Sequence, residues 1–193
     1  MAIVEVRPVS PERYVDATHA LTGGGEGGSC RCQWWMLTST QWRGTTAADR
    51  EQLLHDEIEQ GPPPALIAYV DDEPAGWVRV GRRVGQSRIV RTRAYAALSG
   101  EAMDDPSVWS ISCFVVRREY RGMGLAAQLL DAAVAHAREN GARVIEAYPM
   151  DPAAKKLYAN NLFTGTLSMF VNAGFSEVAR PRPYQAIVVL PTE

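Results

Sequence analysis

The chain has 193 residues, 46% of them hydrophobic and 22% charged, with a net charge of −2; this suits one globular domain over residues 1–193 and is short for two. The charge argues against a nucleic-acid partner, and no apolar run approaches the roughly 18 residues of a membrane span. A start of mixed charge with no apolar leader, together with only three cysteines (Cys30, Cys32, Cys113), points to a reducing, cytoplasmic setting without a disulfide framework.

Ile3-Val4-Glu5-Val6 alternates as a strand does and stops at Pro8. Ser10-Pro11 supplies an N-cap and a proline at the first helical position, predicting a helix to Leu21. Residues 22–29, TGGGEGGS, read as a flexible connector, and Cys30 to Gly44 is a dense aromatic segment with Trp34, Trp35 and Trp42. A helix from Thr46 to Gln60 opens on Thr46 and Asp49, a capping-box spacing, and Gly61-Pro62-Pro63-Pro64 ends it. Ala65–Val70 and Gly76–Gly81 predict a hairpin around Asp71-Asp72-Glu73-Pro74. Residues 82–106 form a long polar connection with arginines at 82, 83, 88, 91 and 93. Such a loop could meet phosphates or an anionic acceptor, or act as a lid; the plainer alternative is a solvated face.

Trp109–Val116 reads as the central strand, followed by a helix from Gly122 to Asn140. Leu125, Leu129, Ala133, Val134 and Ala137 mark its buried stripe and Gly141 its stop. Arg143–Tyr148 is a strand, residues 149–164 are irregular, and Thr166–Ala173 is a short helix ending at Gly174. Ser176–Arg180 and Tyr184–Leu190 predict a final hairpin. The order βααβββαβαββ describes a mixed-sheet α+β domain.

The turn between the central strand and the long helix carries the chemistry. Arg121-Gly122-Met123-Gly124-Leu125-Ala126 brings backbone free of Cβ atoms to a helix N-terminus. Unpaired N–H groups and partial positive charge there suit a pyrophosphate. A tight turn without a ligand is the plainer alternative.

Arg121-x-x-Gly124-x-Ala126, after Phe114-Val115-Val116 and the turn Arg117-Arg118-Glu119-Tyr120, resembles the acyl-CoA signature of the GNAT superfamily of N-acetyltransferases. Ala173-Gly174-Phe175 is similar to that family's Gly-Phe after its last helix. The resemblance implies a largely antiparallel sheet with helices on both faces and splayed central strands, and acetyl-CoA as co-substrate without a metal. It gives the pantetheine arm to the backbone around Val115, at Phe114 and Val116, and the pyrophosphate to Arg121, Gly122, Met123, Gly124, Leu125 and Ala126. A freed strand amide would polarise the thioester carbonyl. The acetyl group would pass directly to the primary amine of a small molecule. Family members are often dimers, so a homodimer is compatible, but no exposed apolar strip demands one.

The family's usual acid, a tyrosine four residues before the glycine of Gly-Phe, is Phe170 here, and its usual asparagine falls on Phe163. Glu146 and Tyr148 share one strand face and are candidates for base and acid, with a structural Glu–Tyr or Glu–Arg pair as the alternative. Tyr158 is a rival acid. Cys113 is a candidate nucleophile for a ping-pong route, but nothing beside it in sequence would activate it. Cys30 and Cys32 lack the further Cys/His ligands of a structural zinc site, and small buried hydrophobes are the plainer reading. By the resemblance, Cys32, Trp34, Trp35 and Trp109 line an acceptor pocket, with sealing of the core as the alternative for the tryptophans. The Cys-x-Cys segment and Ile145-Glu146-Ala147-Tyr148-Pro149 are similar to kasugamycin-type antibiotic N-acetyltransferases, which suggests an aminoglycoside-like acceptor, although the nearby acids fall mostly on one helix face. A non-catalytic acyl-CoA-binding or regulatory module, motivated by Phe170, and a protein N-acetyltransferase are the rival readings.

Overall fold

The computed structural model describes residues 3–23 and 25–192; Gly24, inside the expected connector, lies outside the described residues. Seven strands form one sheet: β1 (Val4–Pro8), β2 (Ala65–Val70), β3 (Glu73–Arg82), β4 (Val108–Val116), β5 (Val144–Ala147), β6 (Ser176–Arg182) and β7 (Gln185–Pro191). Their spatial order is β1-β2-β3-β4-β5-β7-β6. Every neighbouring pair is antiparallel except β4–β5. The β2–β3 turn is tighter than expected. Asp71 and Asp72 both take positive φ, 49° and 67°, as a two-residue hairpin turn of the right twist requires, so β3 begins at Glu73.

The sheet is covered on both faces. On one, α7 (Leu125–Glu139) buries Leu125, Leu129, Leu130, Ala133, Val134 and Ala137, and α8 (Leu167–Asn172) adds Phe170. Burying each large aliphatic side chain is worth about 1.5–3 kcal/mol, so packing more than helical propensity holds α7 in place. The other face is covered by α1 (Tyr14–Ala20), α4 (Ala47–Gln60) and the cysteine–tryptophan segment, around Leu21, Trp35, Leu54, Tyr69 and Trp77. Thr46 and Asp49 form the expected reciprocal cap of α4.

Several connections are more ordered than their composition predicts. The first helix opens as a 3-10 turn at Pro11–Arg13, the glycine-rich connector ends in α2 (Gly27–Cys30), and the aromatic segment contains α3 (Ser39–Gly44), capped by Thr38 and Gln41. Residues 82–106 hold a 3-10 turn at Arg83–Gly85, α5 (Ser87–Val90) and α6 (Arg93–Leu98). This stretch is pinned from inside. Arg83 is fully buried and ion-pairs with Glu146 of β5 at 3.0 Å, while Ser99 donates to the same carboxylate at 2.6 Å. Among the described residues no helix is long and apolar enough to cross a membrane.

Strands β4 and β5 pair only through Val108–Ile111 and Val144–Ala147. Beyond that point they part, and the end of β4 from Ser112 to Val116 has no β5 partner. This opening sits above the turn that starts α7.

Candidate active site

Gly122 and Gly124 adopt φ of 79° and 74°, a left-handed backbone that glycine adopts without the Cβ penalty. Gly124 is the N-cap of the fifteen-residue α7. The amides of Gly122 through Ala126 donate no backbone hydrogen bond within the described chain, leaving a row of donors at the positive end of a long helix dipole. Arg121 adds a full charge beside them, its Nε donating to the Val116 carbonyl at 3.2 Å.

A cavity of about 550 Å³ runs from this turn into the gap beside β4. Arg121 and Ala126 line its mouth, Phe114, Val115 and Val116 one wall, and Cys32, Trp34 and Trp42 the far side. Of the expected turn contacts, Gly122, Met123 and Gly124 stay outside its lining, and the Leu125 side chain is sunk in the core. The Phe114 amide donates to the Phe163 carbonyl at 2.6 Å, so Phe163 lies against β4 beside the position that the resemblance gives to a pantetheine.

At the far side, Arg31 and Cys32 both take positive φ, 49° and 56°, a strain of about 1–2 kcal/mol for each side-chain-bearing residue. It is offset by fixed partners. Arg31 ion-pairs with Glu51 at 3.1 Å, and Cys32 Sγ accepts from Trp77 Nε1 at 3.1 Å and from Arg79 Nε at 3.3 Å. Arg79 is in turn forked onto Glu57 at 2.7 and 2.8 Å. Burial alone would push the Cys32 thiol up, but a hydrogen bond from Cys113 and the Arg79 guanidinium outweigh it and bring Cys32 down to about 6. Cys113 is driven the other way by bonding to Cys32 and by burial. Of the two buried thiols, Cys32 is the one whose surroundings, Arg79 above all, favour the thiolate.

The remaining expected residues scatter. Glu146 is fully buried, held by Arg83, Ser99 and the Tyr148 hydroxyl, and neither it nor Tyr148 lines this cavity. Burial first and then the Glu146 carboxylate hold the Tyr148 phenol protonated well above its ordinary range. The pair fastens residues 83–102 to the sheet; it does not meet the cavity as an acid–base pair must. Tyr158 is 77% exposed and lies outside the lining of this cavity. Trp109 lies on the α7 face, edge-on to His136 at 6.0 Å, away from the cysteines. Trp35 packs between Tyr95, Tyr148 and Phe163. Phe170 is buried against Phe114 and Phe175 and supplies no proton. Sequence reasoning missed Trp42, which lines the cavity with Arg50 stacked on it at 3.6 Å; its place in the aromatic segment was the available signal. It also missed Thr166 and Asn160 as lining residues. Among the described residues no cluster of three or more His, Cys, Asp or Glu is arranged to hold a metal.

The sequence matches the profile of the Acetyltransferase (GNAT) family over residues 32–162. The chain belongs to the GNAT acetyltransferase family. Its fold recurs in solved structures at low identity. A GNAT-family protein from Desulfovibrio desulfuricans is 18% identical with a TM-score of 0.57, covering 99% of this chain and 100% of its own. An N-acetyltransferase from Staphylococcus aureus Mu50 is 12% identical with a TM-score of 0.57, covering 99% of each chain. YncA from Salmonella typhimurium, solved with its cofactor acetyl-CoA, is 14% identical with a TM-score of 0.54, covering 98% and 94%. A search of curated proteins returns no match. The GNAT fold thus accounts for the seven-stranded sheet, the helices on both faces and the parting of β4 from β5.

Proposed function

We propose that this GNAT protein transfers an acetyl group from acetyl-CoA to the primary amine of a small molecule. The observation that carries the reading is the row of unpaired amides from Gly122 to Ala126 at the mouth of a cavity that reaches the parted strands. Those amides and Arg121 suit a diphosphate by charge and by donor count. The cavity lining extends from Ala126 past Phe114, Val115 and Val116 to Cys32, a largely apolar course that suits an extended arm. When bound, the thioester supplies an activated acyl carbon. The chain's own residues do the rest. On this reading the Phe114 amide, once released from the Phe163 carbonyl, would donate to the acyl oxygen as charge develops on it. The Cys32 thiolate, fixed by Trp77 and Arg79, receives the proton that the amine nitrogen gives up as the C–N bond forms and the C–S bond breaks. The apolar wall of Val115, Trp34 and Trp42 keeps water from the acyl carbon.

The test is calorimetric titration with acetyl-CoA, followed by release of free CoA thiol with a panel of amines. Saturable heat and amine-dependent thiol release are expected. Replacement of Gly124 by valine, which strains the positive φ, should weaken acetyl-CoA binding about tenfold or more. Saturable binding without turnover on any amine would favour a non-catalytic acyl-CoA module.

A further inference from the structure

A second cavity, of about 580 Å³, lies behind the first. Trp34 and Phe163 line both, so the two chambers share a wall. Arg88, Arg91 and Arg182 reach the second chamber from α5, its C-terminal flank and the end of β6, and its lining contains no aspartate or glutamate. None of the three arginines is ion-paired among the described residues. Arg91 and Arg182 are exposed and Arg88 half-buried, so the three give the chamber a positive lining without a counter-charge, which attracts an anion.

Hydrogen bonding holds the first of these arginines at the chamber wall. Arg88 is locked in place: it stacks on Trp34 at 3.8 Å, its Nε donates to the Trp34 carbonyl at 2.6 Å, and its Nη1 donates to Ser39 at 3.1 Å. Its Nη2, however, is buried with no partner. Two further buried residues of the same lining also carry unpartnered donors, Trp35 at Nε1 and Thr164 at Oγ1. A guanidinium and an indole can only donate, and buried donors left unpaired are rare in a native protein. Of these groups the guanidinium is the one suited to an oxyanion, which can accept from it in pairs. The walls around them are aromatic, with Trp35 and Tyr95 on one side and Phe163 on the other.

Resting on the acetyl-transfer reading, we propose that this chamber holds the acceptor by an oxyanion, a carboxylate or a phosphate, gripped by Arg88, Arg91 and Arg182. The amine of the acceptor then passes the Trp34–Phe163 wall toward Cys32 and the parted end of β4. A polycationic acceptor of the aminoglycoside type is repelled by the same three charges. Arginine is suited to this task because its planar fork binds oxyanions with two parallel hydrogen bonds.

The test uses the full chain and two side chains that are solvent-exposed, so that folding is not at issue. Calorimetric titrations with inorganic phosphate, with benzoate and with neutral benzamide are expected to show saturable binding of at least one anion and none of benzamide. Which anion binds separates a phosphate-bearing from a carboxylate-bearing acceptor. The double variant Arg91→Gln/Arg182→Gln should weaken that anion about tenfold or more while leaving acetyl-CoA binding unchanged. In turnover, amines that carry the oxyanion should outpace their neutral amides, and the double variant should raise KM for them with little change in kcat. Absence of binding by both anions, unaltered binding in the double variant, or a preference for polycationic amines would overturn the assignment. Heat from acetyl-CoA without heat from either anion sinks the acceptor site alone. Anion binding without any response to acetyl-CoA sinks the transferase reading instead.

Discussion

Cys32 is where single-residue chemistry is most exposed to measurement. Its thiol sits at about 6 because Cys113 and Arg79 outweigh burial, whereas a free thiol in the unfolded chain sits near 9. Between those values the unfolded chain binds the extra proton, so folding stability should climb as pH rises from about 6 to about 9 and be lost on the way back down. Cys113 is shifted upward, so above about 9 the trend should reverse. Urea unfolding across this range, compared with Cys32→Ala, is expected to show the climb only in the parent protein. Alkylation of Cys32, followed by peptide mass mapping, should have a midpoint near 6, and Cys32→Ala should lower kcat on the order of a hundredfold with acetyl-CoA affinity retained. An alkylation midpoint near 9 would remove Cys32 as proton acceptor.

At the scale of elements, local pattern and local structure agree wherever neighbours in sequence decide the outcome. The β4–turn–α7 unit was legible because its apolar strand, paired glycines and helical stripe lie within one continuous stretch. The α4 cap was legible for the same reason, and Thr46→Ala should cost about 1 kcal/mol in thermal or denaturant unfolding. The short helices α2, α3, α5 and α6 were not legible, since four to six residues carry too few turns for a period to show. They exist because tertiary partners hold them, as Arg88 does by bonding to Trp34 and Ser39. The 3-10 turn at Ala159–Leu162 leads into Phe163, whose carbonyl is bound to β4. Hydrogen exchange on addition of acetyl-CoA should therefore change most in residues 158–163 and at the Phe114 amide. Unchanged exchange there would mean that the arm enters elsewhere.

Across the whole molecule, the strand–turn–helix beside the cavity could be read from the sequence, and the contacts that join distant segments could not. The partners that define Cys32 are 45 and 47 residues away, and Arg83 meets Glu146 across 63; no spacing rule links such pairs before the sheet assembles them. The same buried pair makes a global prediction. Glu146→Ala leaves Arg83 uncompensated in the core and should cost about 3–5 kcal/mol of stability, measured by denaturant unfolding. A Glu146→Ala protein as stable as the parent would show that residues 83–102 are fastened by other means. Phe163 has a consequence that reaches both chambers. Its main chain stitches the seam beside β4 while its ring belongs to the partition between them. Unpicking that stitch to admit one guest would reshape the room beside it, so an anion titrated with and without CoA is expected to show two different affinities.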